Sequence, residues 1–181
     1  QLENTVKQAR RVAETGARKA IEQFAVHEAK AWSSLTEAQK RLRNRLRAHG
    51  RQLGDQRDEK RGTQTINRIV GECAYEHWHR MLFARFLAEN NLLIEPETGV
   101  AITLTECQEL ARDKNLDWLE YASDLAVDML PQIFRSDDPV LQVNLPVKTR
   151  SDLEDLLKAL PSDIFLAYDS LGWVYQFWQA E

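Results

Sequence analysis

Apolar and small side chains recur every three or four residues in the first part of the chain, and this spacing predicts two amphipathic helices. The first stripe runs from Leu2 to Ala31, is built largely of alanines, and has Gly16 as its one weak point. The second runs from Leu35 to near Gly50. Polar and charged residues fill the positions between, so we expect each helix to bury one face and expose the other.

A wider apolar stripe begins after Thr63 and predicts the central helix of the core, from about residue 64 to residue 90. Trp78, Met81 and Phe86 lie on this stripe, so we expect their side chains to be largely buried. From Gly50 to Gly62 the chain is charged, has glycines at both ends and at Gly54, and contains almost no apolar residues. This composition predicts a mobile connection.

Shorter helices follow in the second half of the chain. Thr103 with Glu106, and Ser151 with Glu154, have the spacing of a capping box, in which each side chain satisfies a free backbone amide at a helix start. The stretch 95–103 predicts a turn with a short extended piece, and residues 136–144 a loop. The predicted helices cover about residues 103–114, 117–130, 151–160 and 170–181.

Composition agrees with this helical pattern. The 181 residues include only seven glycines and five prolines, too few turn formers for a many-stranded sandwich or barrel. We therefore predict an all-α fold, an irregular bundle of six to eight helices. Its predicted parts are amino-terminal basic helices (1–49), a charged flexible connection (50–63) and a helical core (64–181).

Two cysteines, Cys73 and Cys107, are too few for a disulfide framework, which favours a reducing, cytoplasmic setting. Charge is divided unevenly along the chain. Residues 1–85 hold 18 Lys and Arg against 10 Asp and Glu, a net of +8, whereas residues 86–181 hold 6 against 18, a net of −12. This division indicates a basic surface for an anionic partner, or two ordinary solvated faces that sort along the sequence.

The chain contains none of the common catalytic or cofactor motifs. It has no G-x-G pair, no G-x-x-x-x-G-K-[ST] phosphate loop, no H-E-x-x-H and no C-x-x-C. Glu76 and His79 form one E-x-x-H, but a di-iron bundle site needs a second copy and two further glutamates. We therefore assign no catalytic, cofactor-binding or metal-binding residue to this chain.

A dense basic run covers the second predicted helix and the segment after it. Leu42 and Leu46 would dock that helix on the core while the arginines spread around them. Arginine forks bind phosphates bidentately, and several such contacts give salt-sensitive, sequence-independent binding to DNA. A solvated helix face with ion pairs is the alternative interpretation. The candidate phosphate contacts are Arg41, Arg43, Arg45, Arg47, Arg51, Arg57, Lys60 and Arg61.

Two arginines, Arg80 and Arg85, interrupt the apolar central helix. A buried arginine needs a partner, and the acidic second half of the chain offers many carboxylates. We expect at least one of the two to form a structural ion pair with a carboxylate from residues 106–169.

The last predicted helix is strongly aromatic, with Trp173 and Phe177 on one side and Tyr175 and Trp178 on another. Apolar residues on both sides indicate burial on both sides. This favours interdomain packing by these four side chains within a longer protein. The alternative is that this helix is itself the centre of the core.

Two segments carry a resemblance to a known family. One is Cys73-Ala74-Tyr75, followed by Trp78, Arg80, Arg85, Phe86 and Leu92-Leu93; the other is Leu171-Gly172-Trp173-Val174-Tyr175-Gln176-Phe177. They resemble the motifs that open and close the amino-terminal helical region of BREX-type (PglX-like) adenine-specific DNA methyltransferases. Related regions occur in DISARM-type methyltransferases and in fused restriction–modification enzymes. The resemblance spans about residues 65–181, and His77, His79 and Ala88 depart from the family pattern.

The resemblance implies a non-catalytic helical domain that precedes a methylase domain. The parent enzyme would use S-adenosylmethionine to methylate N6 of adenine, in phage defence or restriction–modification. The family's cofactor glycines and N-P-P-[YF] motif have no counterpart here, so we expect the chemistry to lie outside this chain. The domain would brace the methylase core and assist binding of double-stranded DNA or of other defence-system subunits, without a membrane. The alternative is a helical protein-interaction module without nucleic-acid contact, which would bind through the acidic half and the first helix.

Overall fold

The computed structural model describes residues 2–135, 137–167 and 169–179. These ranges form eight α-helices and one two-stranded antiparallel sheet, so the predicted all-α bundle of six to eight helices is confirmed. The elements, in chain order, are α1 (Leu2–Gln23), α2 (Glu37–Leu53), α3 (Asn67–Glu89), β1 (Leu93–Glu95), β2 (Val100–Ile102), α4 (Leu104–Asp113), α5 (Trp118–Met129), α6 (Val147–Lys158), α7 (Ser162–Leu166) and α8 (Ser170–Gln179).

Helix α3 lies at the centre of the bundle. It packs most extensively on α1 and α5, and it also contacts α2, α6 and α7. Trp78 is only 1% exposed and Met81 is buried, as predicted, while Phe86 is half-buried at the edge of the core. Buried side chains occur on nearly every side of α3. The prediction of a central helix from residue 64 to 90 is therefore accurate to within a few residues at each end.

The alanine stripe of α1 lets neighbouring helices approach closely. Ala9, Ala13 and Ala17 are buried without measurable exposure, and α1 lies against α3, α6 and α8. A Cβ atom at Gly16 would overlap the side chain of Thr149 on α6. Gly16 is thus not a weak point of the helix but the position at which α6 crosses it.

Two predicted helix boundaries are wrong. Helix α1 ends at Gln23 rather than near Ala31, because Ala25 adopts a left-handed backbone (φ 53°) and reverses the chain. Helix α6 begins at Val147, with Pro146 before its first turn, so Ser151 lies inside the helix instead of capping it. Pro146 is the N-cap residue, and its carbonyl oxygen accepts the first helical hydrogen bond, from the amide of Arg150 (3.0 Å).

The predicted turn after α3 is a β-hairpin. Leu93 pairs with Ile102 and Glu95 with Val100, and Gly99 takes the positive φ (68°) that the turn requires. The capping box of Thr103 and Glu106 then begins α4, as predicted. Helix α7, which follows Pro161, was not predicted. The predicted end of the last helix at Glu181 lies outside the described residues.

Candidate functional site

Two of the eight candidate phosphate contacts lie inside the protein. Arg43 and Arg47 are 6% and 7% exposed. The Arg43 Nε atom donates to the carbonyl oxygen of Ala25 (2.9 Å), and Arg47 donates to those of Val26 and Gly62 (2.8 Å each). Both also donate to the Glu28 carbonyl oxygen. Because their guanidinium groups bind these loop carbonyls, Arg43 and Arg47 cannot serve as the predicted phosphate contacts.

The other six candidates, Arg41, Arg45, Arg51, Arg57, Lys60 and Arg61, are exposed. Burial lowers the pKa of Arg47, and the neighbouring charges of Arg43, Arg57 and Arg51 lower this pKa further. The positive charges of Arg43, Arg51 and Arg57 therefore act on the Arg47 guanidinium group. We call the exposed basic residues of α2 and of the loop after it, other than Arg45, the basic surface; they are Arg41, Arg51, Arg57, Lys60 and Arg61.

Arg45 is exposed but already engaged. It donates to the side-chain oxygen of Gln142 (3.1 Å) and to the carbonyl oxygen of Asp137. Arg51 donates to the side chain of Gln64 (3.0 Å) at the edge of the basic surface. Arg45 therefore connects α2 to the loop before α6, and we leave it out of the basic surface.

The segment predicted as a mobile connection makes defined contacts with the helices on both sides. Asp55 is 4% exposed, and its carboxylate accepts hydrogen bonds from the backbone amides of Arg68 and Ile69 (3.0 Å each). These amides belong to the first turn of α3, which has no side-chain cap of its own. Sequence reasoning missed this role, because Asp55 lies well before the helix and outside any capping-box spacing.

Arg85 forms a buried ion pair, but its partner differs from the predicted one. Its Nη2 atom lies 3.0 Å from a carboxylate oxygen of Glu89, one turn along α3, and both side chains are less than a tenth exposed. Arg85 also donates to the carbonyl oxygens of Leu157 and Leu160, at the end of α6. The link to residues 106–169 therefore runs through carbonyls and not through a carboxylate.

Arg80 has no ion pair within 4 Å in the described part of the chain, and its Nε atom is buried without a hydrogen-bond partner. Burial lowers the pKa of Arg80, while Asp124 and Glu120 on α5 oppose that change. These two carboxylates fall in the predicted range 106–169, but they act on Arg80 at longer range than an ion pair.

The aromatic residues of α8 divide into buried and exposed sets. Trp178 is 5% exposed and Phe177 is half-buried, whereas Trp173 and Tyr175 are 45% and 52% exposed. The bundle thus buries one side of this helix, and the interdomain packing expected for the other side stays a prediction. One face packs on the bundle, and Trp173 lies on the flank that faces away from α3.

The buried face of α8 meets the centre of α3. The ring of Trp178 stacks on that of Trp78 with centroids 6.0 Å apart, and it meets Tyr75 edge-on at 5.8 Å. Tyr75 also meets Tyr175 edge-on at 6.1 Å. The two segments that carry the family resemblance, far apart in the sequence, are thus in direct contact.

The nucleophilic and basic side chains of the core are not activated. Burial raises the pKa of Cys73 to about 12 and that of Cys107 to about 11, which keeps both thiols protonated. His77 is buried, its Nε2 atom lies 3.2 Å from the Val140 carbonyl oxygen, and burial lowers its pKa to about 4. No group of three or more metal-ligating side chains occurs among the described residues.

No helix in the described ranges is long and apolar enough to cross a membrane. Comparison of the chain with protein-family models, with curated proteins and with solved structures finds no match.

Proposed function

We propose that this chain is a non-catalytic helical domain of an S-adenosylmethionine-dependent, adenine-specific (N6) DNA methyltransferase of a phage-defence or restriction–modification system. The observation that carries the proposal is the contact between its two motif segments. Tyr75 and Trp78 of the first segment pack on Tyr175, of the second, and on Trp178. Motifs that open and close one helical region are expected to meet in this way if that region is a single structural unit.

Within the parent enzyme, the domain would brace the methylase core. The outer flank of α8 presents Trp173 and the half-buried Phe177, and an exposed tryptophan is a frequent anchor of protein interfaces. The methyl-transfer chemistry and the bound S-adenosylmethionine would belong to the methylase domain.

The basic surface would hold the DNA backbone. Phosphate contacts position a protein on the duplex without reading its sequence, so this surface would add affinity and leave the choice of target site to the rest of the enzyme. The side chains of the basic surface are exposed, and the charges of Arg51 and Arg57 lower the pKa of the neighbouring Arg47, so a phosphate bound there would offset positive charge.

A salt series on the isolated chain tests the DNA contact. Its affinity for a duplex, measured by fluorescence anisotropy, should fall about one to three decades between roughly 50 and 200 mM salt. The combined changes Arg41→Glu, Arg57→Glu and Arg61→Glu should reduce the slope of log affinity against log salt by about two to three. Arg43 and Arg47 are left intact, because reversing their charge would break the loop contacts.

The matched control reverses three exposed basic residues of the acidic half, Arg112, Arg135 and Lys148, and changes net charge by the same amount. The slope of log affinity against log salt for this control should stay close to that of the wild type. If the two triple variants behave alike, the basic surface is only a solvated face.

The enzymatic part of the proposal needs the complete gene. Expressed in a bacterial host without adenine methylation, it should place N6-methyladenine at one DNA motif, as read by long-read sequencing. Trp173→Ala should lower the methylated fraction if this flank braces the methylase domain, while Trp32→Ala, at another exposed tryptophan, should not. Absence of any methylated adenine would overturn the proposed class of enzyme.

One observation favours the alternative, a protein-interaction module. A hollow of about 440 Å³ between the β-hairpin and α4 is lined by five carboxylates, those of Glu95, Glu97, Glu106, Glu109 and Asp113. Such a surface fits a basic protein segment. In that case the chain should bind no duplex even at low salt.

A further inference from the structure

A small aromatic pocket lies between α3 and α8. Helix α8 rests mainly on α1 and α7, so the space between it and α3 is spanned by side chains. The pocket has a volume of about 260 Å³, below the range typical of sites for drug-sized ligands. Six of its nine lining residues carry rings. They are Tyr75, Trp78, His79, Phe83, Tyr175 and Trp178.

A charged cleft adjoins the pocket. Tyr75, Tyr175 and Trp178 line both spaces, and the cleft is also lined by Glu72 and Glu76 of α3. Within the described chain, no salt bridge within 4 Å involves either glutamate. These two carboxylates lie beside the ring-lined pocket without a neutralising ion pair.

Two arginines, Arg10 and Arg68, also line the cleft. Arg10 of α1 pairs with Glu14 (2.9 Å) and donates to the Trp178 carbonyl oxygen (2.6 Å), and Arg68 is exposed. Burial raises the pKa of Glu76 to about 7, and the carboxylates of Glu72 and Asp138 raise it further. The charges that act on Glu76 are therefore negative.

This combination matches one class of ligand. The faces of aromatic rings attract a cation, and an alkylated ammonium group is large, apolar on its surface and weakly hydrated. A metal ion would need several oxygen or nitrogen ligands, which the pocket walls do not provide. A neutral apolar ligand would make no use of the glutamates.

We propose that the pocket between α3 and α8 binds a small organic cation, with an alkylated ammonium group against the rings of Tyr75, Tyr175 and Trp178 and with Glu76 as its counter-charge. The group belongs either to a free small molecule or to a methylated lysine of a peptide. The pocket lies on the opposite side of α8 from the flank that we assign to the methylase domain, so this inference does not depend on the proposed function.

Calorimetric titration with choline tests the proposal. Choline should bind with a dissociation constant below about 10 mM, and its neutral isostere 3,3-dimethylbutan-1-ol should bind at least about tenfold more weakly. A short peptide with trimethyl-lysine, compared with its unmethylated form, distinguishes the two sources of the group. Tighter binding of the methylated peptide than of choline would assign the site to a peptide, and the reverse would assign it to a free molecule.

Three variants locate the site. Tyr175→Ala should weaken choline binding by about tenfold, whereas Tyr175→Phe, which keeps the ring, should bind as the wild type does. Glu76→Gln should weaken the binding severalfold. Trp173→Ala removes an exposed ring on the other flank of α8 and should have no effect. Equal binding of choline and its isostere, or no binding of either cation, would overturn the proposal.

Discussion

The guanidinium groups of Arg43 and Arg47 donate hydrogen bonds to the backbone carbonyls of two neighbouring loops. The left-handed turn at Ala25 leaves the carbonyls of Ala25, Val26 and Glu28 outside the hydrogen bonds of helix α1, and the loop at Gly62 adds another. A buried carbonyl without a donor is costly, and a guanidinium group can satisfy several at once. The two side chains therefore fix the conformation of the segment between α1 and α2.

Replacing Arg47 should therefore destabilise the fold. Arg47→Ala leaves the carbonyls of Val26 and Gly62 unpaired and should lower the free energy of unfolding by about 2–4 kcal/mol, as measured by urea denaturation. The exposed Arg41→Ala on the same helix should change it by less than about 0.5 kcal/mol. Similar effects of the two changes would show that the loop carbonyls do not depend on Arg47.

Glu76 and His77 are adjacent in α3, and their pKa values are shifted in opposite directions. Burial raises the pKa of Glu76 from 4.5 to about 7, so the folded protein binds the extra proton and loses stability as pH rises from about 4.5 to 7. Burial lowers the pKa of His77 from 6.5 to about 4, so the folded protein gains stability as pH rises from about 4 to 6.5. Between about pH 4.5 and 6.5, the loss of stability caused by Glu76 and the gain caused by His77 therefore oppose each other.

A variant without the Glu76 carboxyl group should reveal how His77 alone changes stability with pH. In Glu76→Gln only His77 remains, so the urea midpoint should rise more steeply between pH 4 and pH 6.5 than in the wild type. The decline toward pH 7 that Glu76 causes should also disappear. The exposed Glu59→Gln serves as the control and should follow the wild-type curve. Parallel curves for Glu76→Gln and the wild type would contradict the opposed shifts.

The crossing of α1 and α6 depends on the absence of one side chain. Because a Cβ at position 16 would overlap Thr149, Gly16→Ala should force the two helices apart. Alanine favours a helix over glycine by about 1 kcal/mol, while overpacking costs about 1–3 kcal/mol, so we expect a net loss of stability in thermal unfolding. Adding Thr149→Ala should recover part of the lost stability, because it removes the two closest clashing atoms and leaves only the Cβ of residue 149 at 2.8 Å.

Gly71 provides a matched control within the same bundle. It is also helical, but no atom lies within 4 Å of the position that its Cβ would occupy. Gly71→Ala should therefore show the helix preference alone and stabilise the protein by about 0.5–1 kcal/mol. If Gly16→Ala and Gly71→Ala both stabilise the protein, Thr149 does not restrict the space at position 16.

Elements with strong periodicity could be predicted from the sequence, and boundaries set by tertiary contacts could not. The stripe from Ile69 to Leu87 identifies α3, since burial on several sides requires an apolar residue at almost every turn. The end of α1 could not be found in this way, because its alanine stripe continues past the turn at Ala25. Pro161 was likewise interpreted as the end of one helix and not as the start of the next, and the helix start at Pro146 was expected at Ser151 instead.

The candidate site was only partly predictable for the same reason. A run of arginines identifies a basic helix, but which of them are buried depends on a loop that folds back over α2. The pairing of Arg85 with Glu89 follows from their helical spacing, whereas its contacts with the end of α6 do not. The ring contacts between α3 and α8 depend on the path of the whole chain.

At the scale of the whole molecule, the uneven charge should limit DNA binding. The acidic half carries a net charge of −12 and repels the same polymer that the basic surface attracts. Neutralising three carboxylates of the acidic hollow, with Glu97→Gln, Glu109→Gln and Asp113→Asn, should strengthen duplex binding about threefold to tenfold at low salt. Anisotropy titrations would measure this gain.

Because dissolved salt screens charges, repeating the duplex titrations at several salt concentrations provides the control for this triple change. The Debye length is about 10 Å at 0.1 M salt, so charges farther apart than this act weakly above that concentration. The gain from the triple change should therefore shrink as salt rises toward roughly 200 mM. A gain that is constant across the salt series would indicate a new direct contact instead of reduced repulsion.

The buried carboxylate of Asp55 also has a consequence for how the protein opens. The amides of Arg68 and Ile69 are protected from water by a side chain that follows directly on α2, not by their own helix. Separating α2 from α3 would expose these amides at once, so they should exchange their hydrogens for deuterium at the rate of the α2 interior. With Asp55→Ala they should exchange much faster while the α2 interior keeps its rate. We therefore expect α2 and the first turn of α3 to exchange as one cooperative unit, linked by the charged loop between them.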